Sequence, residues 1–111
     1  MRVALINQNH AGSLKSKRTY LPLGLAYIAA VIRESGRHEL KVIDAAALNL
    51  SDEELLKQLK KFKTQVVGVG AATENLKSAI NVCRLAKKNN ITTIIGGPHP
   101  TILPKETLAF E

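Results

Sequence analysis

The sequence predicts an α/β domain in which a parallel sheet lies between two layers of helices. Apolar runs that favour strands alternate with segments of helical periodicity, in the order βαβαβαβα. The third strand, Gln65–Gly70, is essentially one apolar run, which is typical of a strand covered on both faces. Strict alternation of strands and helices at this spacing predicts right-handed crossovers and a parallel sheet.

The first strand and helix are separated by a long polar segment. Arg2–Ile6 is a short run of β-forming residues, and residues 7–21 predict a loop of a length that often carries function. Pro22 suits the first turn of a helix that runs to about Ser35, and Gly36 is a typical helix stop. The apolar residues of this helix have helical spacing: Leu25, Ile28, Ala29 and Ile32.

The second strand and helix have clear signals at their boundaries. Glu39–Asp44 predicts strand 2, and Ser51 with Glu54 forms a capping box at the start of helix 2. The apolar face of helix 2 contains Leu55, Leu56, Leu59 and Phe62.

The second half of the chain continues the alternation. Helix 3 is predicted over about Glu74–Asn89 and strand 4 over Thr92–Gly96. Gly97–Leu103 is expected to be a loop, and a fourth helix begins at Pro104. The buried stripe of helix 3 is predicted to contain Leu76, Ala79, Ile80, Cys83 and Ala86.

These elements predict a flavodoxin-like (Rossmann-like) three-layer α/β/α domain over residues 1–111. Such a sheet has five strands in the order 2-1-3-4-5. Only four strands are predicted here, so we expect the domain to be truncated before strand 5 and to be the N-terminal fragment of a longer protein.

Composition and charge exclude several classes of function. The formal net charge is +7, but the positive residues are dispersed, and their densest cluster fits a solvated helix face rather than a nucleic-acid interface. The single cysteine, Cys83, excludes an internal disulfide and a cysteine-rich metal site. No membrane span or signal peptide is indicated, so we expect a cytoplasmic protein. The dense cluster is Lys57, Lys60, Lys61 and Lys63.

Ligands of open parallel sheets bind beyond the carboxyl ends of the strands. This rule selects the loop after strand 1, Asp44, residues 71–73 and residues 97–101. Asn9 and His10 lie in that first loop, where an imidazole could reach the switch point between strands 1 and 3.

Two features of the segment after strand 4 leave more than one interpretation open. Gly96 and Gly97 fit either the close approach of a bulky ligand or a tight turn that requires positive φ. His99 lies between Pro98 and Pro100 on a stiff backbone, where it could face a ligand or metal, or have no role.

The motifs of several common α/β families are absent. The segment after strand 1, Asn7–Gly12, lacks the Gly-x-Gly-x-x-Gly of dinucleotide-binding folds, and the chain contains no P-loop. The acidic residues of a phosphoryl receiver are also missing after strands 1 and 3. No acid–base pair or nucleophile triad can be assembled.

Three segments together resemble the N-terminal cobalamin (B12)-binding domain of B12-dependent radical S-adenosylmethionine proteins. They are Leu21–Ala30, Val66–Thr73 and Ile95–Thr101, which occur in the order expected for that family. The group includes magnesium-protoporphyrin monomethyl ester oxidative cyclases and many methyltransferases. The resemblance implies the same fold, with the corrin over the carboxyl ends of the strands and the nucleotide tail between sheet and helices. The contacts it implies are Gly24, Ala72, Thr73, Gly96, Gly97, Pro98 and His99.

The sequence departs from B12 domains that supply a histidine to cobalt from an Asp-x-His-x-x-Gly motif. Here the corresponding segment has Gln8 in place of the aspartate, and its glycine, Gly12, falls one position early. The radical family usually lacks this motif, so no metal ligand is assigned, and Asn9 and His10 are kept as cofactor-contact candidates. The Cys-x-x-x-Cys-x-x-Cys motif that holds a 4Fe-4S cluster cannot be built from one cysteine.

The resemblance therefore implies that the cluster and S-adenosylmethionine belong to a downstream domain of the parent chain. Two alternatives remain open: a scaffold domain of the same fold that does not bind a cofactor, and a nucleotide- or flavin-binding α/β domain. Nucleic acid and membranes are not expected as partners. Self-association is expected through the exposed edge of strand 4.

Overall fold

The computed structural model describes residues 1–7, 23–45, 50–71 and 76–109, with only the backbone described at Leu23 and His99. Strands and helices alternate along the chain, as the sequence predicts. The elements are β1 (Arg2–Asn7), α1 (Leu23–Ser35), β2 (Glu39–Asp44), α2 (Asp52–Phe62), β3 (Val66–Gly70), α3 (Leu76–Lys88), β4 (Thr92–Gly96), α4 (Pro98–Ile102) and α5 (Pro104–Leu108).

The strands in the described part of the chain form a parallel sheet with the order β2-β1-β3-β4. This order equals the first four positions of the flavodoxin-like 2-1-3-4-5 arrangement, which confirms the predicted fold class. The sheet places β1 and β3 side by side in its centre. Their carboxyl ends are the switch point at which the chain changes direction across the sheet.

The core lies mainly on one face of the sheet, beneath α2 and α3. Side chains of successive strand residues point to opposite faces, so Ala4 and Ile6 share a face with Val67. These residues pack with Leu59 of α2, which is fully buried, and with Ala86 of α3. The aliphatic composition of this cluster agrees with a chain that contains two Tyr, two Phe and no Trp.

The helix boundaries have local causes that the sequence shows. Ser51 accepts a hydrogen bond from the Glu54 backbone N–H at 3.2 Å, and its hydroxyl donates to the Glu54 carboxylate at 3.0 Å. The predicted capping box is therefore confirmed. Gly36 ends α1 with φ of 65°, a conformation that glycine adopts at little steric cost.

The prediction of a loop over Gly97–Leu103 is wrong, because α4 forms a single helical turn there. Pro98 and Pro100 fall in its first turn, where a backbone N–H has no partner within the helix, so neither proline interrupts it. Thr101 closes the turn by donating from its N–H and its hydroxyl to the Gly97 carbonyl, at 3.2 Å and 2.8 Å. The helix expected at Pro104 is confirmed as α5.

Helix α1 packs less completely than its apolar spacing suggests. Ala29 is buried, and Leu25 and Ile32 are half-buried, but Ile28 leaves 52% of its surface exposed. The predicted apolar set of α1 therefore includes one residue, Ile28, that packing leaves about half exposed. None of the helices in the described part of the chain is long and apolar enough to cross a membrane.

Candidate functional site

The carboxyl edge of the sheet brings together the ends of neighbouring strands. Asn7 ends β1 and is the register partner of Asp44 at the end of β2, and its side-chain amide donates to the Asp44 carboxylate at 3.0 Å. Gly70 and Gly96 are register partners at the ends of β3 and β4. The edge therefore carries polar side chains at the ends of β1 and β2, and glycines at the ends of β3 and β4.

Gly70 and Gly96, which we call the glycine pair, leave open space above the sheet. No heavy atom of the described residues, apart from chain neighbours, lies within 4 Å of a Cβ built on either glycine. Neither glycine has positive φ, so backbone conformation does not require glycine at these positions. The described residues therefore do not require glycine at either position, and glycines at strand ends are typical of places where a ligand approaches the backbone closely.

Gly97 has the opposite explanation. Its φ is 103°, and a Cβ built on it would lie 2.8 Å from the Ala71 carbonyl oxygen. Ala71 also donates its backbone N–H to the Gly96 carbonyl at 2.7 Å, which holds the two strand ends together. The two interpretations of the Gly96-Gly97 sequence therefore separate: the tight turn accounts for Gly97, and the open space at Gly96 fits ligand approach.

The glycine pair lies on the sheet face that carries α1. Leu5 is the register partner of both Val42 and Gly68, so these three residues share one face of the sheet. Gly70 lies two residues after Gly68 and is the register partner of Gly96, so the glycine pair lies on the same face. A groove of about 440 Å³ separates Val42 from the alanines of α1, which places α1 over this face. Beside the pair, Ile94 of β4 is 60% exposed.

The sequence analysis did not identify Gly70 of β3 as part of this site. Gly68 and Gly70 alternate along β3 and therefore face the same side. At Gly68 a Cβ would lie 2.8 Å from Leu5 Cδ2, so the Leu5 side chain uses the space that glycine leaves. Of these two glycines, only Gly70 leaves space where a Cβ would stand. The alternation of two glycines within one strand was the signal that could have identified it.

The structure describes some of the predicted contact residues and not others. Gly24, Gly96, Gly97 and Pro98 are exposed, and Gly24 has no described heavy atom within 4 Å of a built Cβ. His99 is the second residue of α4, at the carboxyl edge, with only its backbone described. Asn9, His10, Ala72 and Thr73 lie outside the described residues. The cofactor contacts predicted for both groups stay predictions.

The titratable side chains that the structure describes near this edge are not grouped as a metal site would require. Among the described residues, no group of three or more His, Cys, Asp and Glu side chains is placed to hold a metal ion. Cys83 is half-buried on α3 against a small cluster with Val69, and burial raises the pKa of its thiol. This supports the predicted role of Cys83 as a small packing residue.

The geometry of this edge fits a planar or elongated cofactor that approaches the backbone. The glycine pair leaves space where Cβ atoms would stand, and the exposed Ile94 side chain adds an apolar surface beside it. The neighbouring Asn7 and Asp44 provide polar groups at the same edge. The described residues therefore fit a cofactor such as cobalamin at this edge, which is where the resemblance to B12 domains implies it.

Comparison with known proteins agrees with this geometry. Residues 10–111 match the family model of the B12 binding domain. The chain is 39% identical over 89 residues to an uncharacterized methyltransferase of Pyrococcus horikoshii, which covers 78% of the chain and 19% of that protein. It is 29% identical over 111 residues to the anaerobic magnesium-protoporphyrin IX monomethyl ester cyclase of Rubrivivax gelatinosus, which covers 97% of the chain and 20% of the cyclase.

A third relative is a methyltransferase named for a phosphonate substrate. The chain is 34% identical over 113 aligned positions to the cytidylyl-2-hydroxyethylphosphonate methyltransferase of Streptomyces wedmorensis, which covers 82% of the chain and 21% of that enzyme. The chain thus spans about a fifth of the length of these curated relatives. No solved structure matches it significantly. With the family model matched from residue 10 to residue 111 on a flavodoxin-like sheet, the chain belongs to the B12-binding domain family.

Proposed function

We propose that this chain is the cobalamin-binding module of a longer B12-dependent radical S-adenosylmethionine enzyme. The observation that carries the proposal is the glycine pair, whose open backbone no local structural requirement explains. The family match supports cobalamin as the ligand that uses this space. In such an enzyme, cobalamin can carry the methyl group while a separate module generates the radical.

The longer parent protein is part of the proposal. Each of the three relatives is about five times as long as the region that this chain matches. Their names describe two methyltransferases and one cyclase, so we propose a parent of the methyltransferase or tetrapyrrole oxidative cyclase type. The single cysteine of this chain cannot hold a 4Fe-4S cluster, so the cluster and S-adenosylmethionine would bind in a downstream domain.

The two outer strands of the described sheet differ in charge. β2 carries Glu39, Lys41 and Asp44, and charged residues on an edge strand discourage pairing with another strand. β4 reads Thr-Thr-Ile-Ile-Gly and carries no charge. We propose that β4 pairs with a fifth strand of the parent protein, and that isolated copies of this chain self-associate through the same edge.

A visible-absorbance titration with hydroxocobalamin tests the proposal. It should be run on this chain and on a form of the parent that extends through the fifth strand. We expect saturable binding to the extended form and weaker binding to this chain, because strand 5 and its helix would complete the wall of the site. The absence of binding to both forms would contradict the proposal and favour a scaffold domain.

A further inference from the structure

The exposed surface of α1 is apolar, which is unusual for a surface helix. Tyr27, Ile28 and Val31, which we call the α1 patch, expose 74%, 52% and 68% of their surfaces. No charged residue occurs in α1 before Arg33. A helix that is apolar around most of its circumference is typically buried on more than one side.

The other long helices of the same domain show what a solvated face looks like here. All six exposed residues of α2 are charged: Asp52, Glu53, Glu54, Lys57, Lys60 and Lys61. The exposed residues of α3 are also polar or charged: Lys77, Asn81, Arg84, Lys87 and Lys88. The α1 patch therefore does not reflect a general lack of polar surface residues in this chain.

Two residues of the patch, Tyr27 and Val31, face away from the sheet. Ala29 is the buried residue of α1, and a rotation of roughly 100° per residue places Tyr27 and Val31 on the opposite side of the helix. Tyr27 and Val31 lie four residues apart and are thus neighbours on the helix surface. Both side chains are therefore free to pack against another domain or another protein.

The position of the patch relative to the sheet indicates which part of a longer protein could cover it. The link from Ser35 to the start of β2 at Glu39 is short, so the end of α1 lies at the amino edge of the sheet. The first turns of α1, which contain Tyr27 and Ile28, therefore point toward the carboxyl edge, where the glycine pair lies. The charged residues Arg33 and Glu34 occupy the distant end.

A second copy of this chain is a weaker candidate for the occupant. The edge through which copies of this chain are proposed to associate is β4, which carries no charged residue and is not part of the α1 patch. In contrast, the relatives that share this domain are about five times as long as the region matched. A following domain that closes over the carboxyl edge would also reach the first turns of α1.

We propose that the α1 patch is an intramolecular docking surface for the remainder of the parent polypeptide. The proposal rests on the proposed function for the existence of that parent, but it does not require cobalamin to bind. Burial of the three apolar side chains would hold the cofactor module in a fixed orientation beside the domain that follows it.

Thiol labelling of Val31→Cys tests this interface. The substitution is made in a Cys83→Ala background, and maleimide labelling is followed by mass spectrometry without cobalamin. The rate is compared between this chain and the full-length parent. We expect labelling to be slower in the parent by about tenfold or more, because the site must open before it reacts. Glu53→Cys on α2 is the matched control and should react equally in both proteins.

Several results would overturn the proposal. Equal labelling of Val31→Cys in both proteins would show that the patch stays exposed, and a parent reading frame that ends at Glu111 would remove the proposed occupant. Protection that rises with the concentration of this chain would assign the patch to a second copy. Protection in the monomeric chain would assign it to a segment of the chain itself.

A second variant separates docking from folding. Val31→Glu should leave the unfolding midpoint of this chain unchanged, because the side chain is exposed. In the full-length parent, the same change should expand the particle in small-angle scattering and expose the junction to limited proteolysis. An unchanged parent would overturn the proposal. Failure of cobalamin binding with a protected patch would instead reject the proposed function and retain the interface.

Discussion

Gly97 approaches Ala71 so closely that a methyl group at Gly97 would lie 2.8 Å from the Ala71 carbonyl oxygen. The contact joins the end of β4 to the residue after β3. It forms beside the hydrogen bond from the Ala71 N–H to the Gly96 carbonyl, at 2.7 Å. The geometry of the carboxyl edge therefore depends on glycine at position 97, and the cofactor contact predicted for Gly97 stays a prediction.

Gly97→Ala is expected to destabilise the domain. A side chain at φ of 103° is strained, and its Cβ would also collide with the Ala71 backbone. We expect the free energy of unfolding to fall by about 1–3 kcal/mol, the cost of a residue held in a sparsely populated backbone region. Urea denaturation measures the change. Gly96→Ala is the control and should unfold at the midpoint of the unsubstituted chain or above it, and equal losses for both variants would contradict this assignment.

The glycine pair allows ligand binding to be separated from stability. Gly96→Val adds a branched side chain to open space and should leave unfolding unimpaired. It should weaken hydroxocobalamin binding by about tenfold or more, because overpacking a fitted contact typically costs about 1–3 kcal/mol. The effect is measured by absorbance titration of the extended form. Gly70→Val should behave in the same way.

The control for these variants is Thr93→Val, which changes the same strand on the opposite face. It should bind hydroxocobalamin with unchanged affinity. If Gly96→Val binds as tightly as the unsubstituted protein, the open backbone at β4 is not part of the cofactor site.

Local sequence signals predicted most of the fold. β2 and β4 have the predicted boundaries, and Ser51 and Gly36 perform the capping and stop roles that their residue types favour. These features depend on a few neighbouring residues, so they can be predicted from short segments of the sequence. The turn of α4 was not predicted, although Pro98 and Pro100 both fit the first turn of a helix.

The site was less predictable because it depends on pairing between distant residues. Gly70 and Gly96 face each other only once β3 and β4 are in register. The exposure of Tyr27 could not be predicted either, because a helix that is apolar on most sides does not show which of its faces packs on the sheet. The sequence did predict where the strands end at this edge, because strand ends and glycines can be recognised from neighbouring residues alone.

Ser51 is expected to contribute measurably to stability through the cap of α2. Ser51→Ala removes the acceptor of the Glu54 N–H and the hydroxyl bonded to its carboxylate. The free energy of unfolding should fall by about 0.5–2 kcal/mol, the usual range for loss of an N-cap side chain. Chemical denaturation followed by circular dichroism measures it. Glu53→Gln, at an exposed neighbouring position, should change stability far less, and a loss as large as that of Ser51→Ala would argue against a specific cap.

Cys83 is expected to make stability depend on pH in the alkaline range. Burial raises the pKa of its thiol above the ordinary value of 9.0, so the unfolded chain ionises first as pH rises. Below about pH 8 both states hold the proton, and the contribution of the group is constant. Above the unfolded pKa, the thiolate favours the unfolded chain, and stability falls until the folded thiol also ionises.

Comparison with Cys83→Ala isolates this contribution from the lysines, which titrate in a similar range in both proteins. The difference in unfolding free energy between the two proteins should be constant from pH 6 to about pH 8 and should then shift against the unsubstituted chain. Urea denaturation at a series of pH values measures the difference. A difference that stays constant to about pH 10 would mean that the thiol has the same pKa in the folded and unfolded chains, and therefore that α3 does not bury it against Val69 in solution.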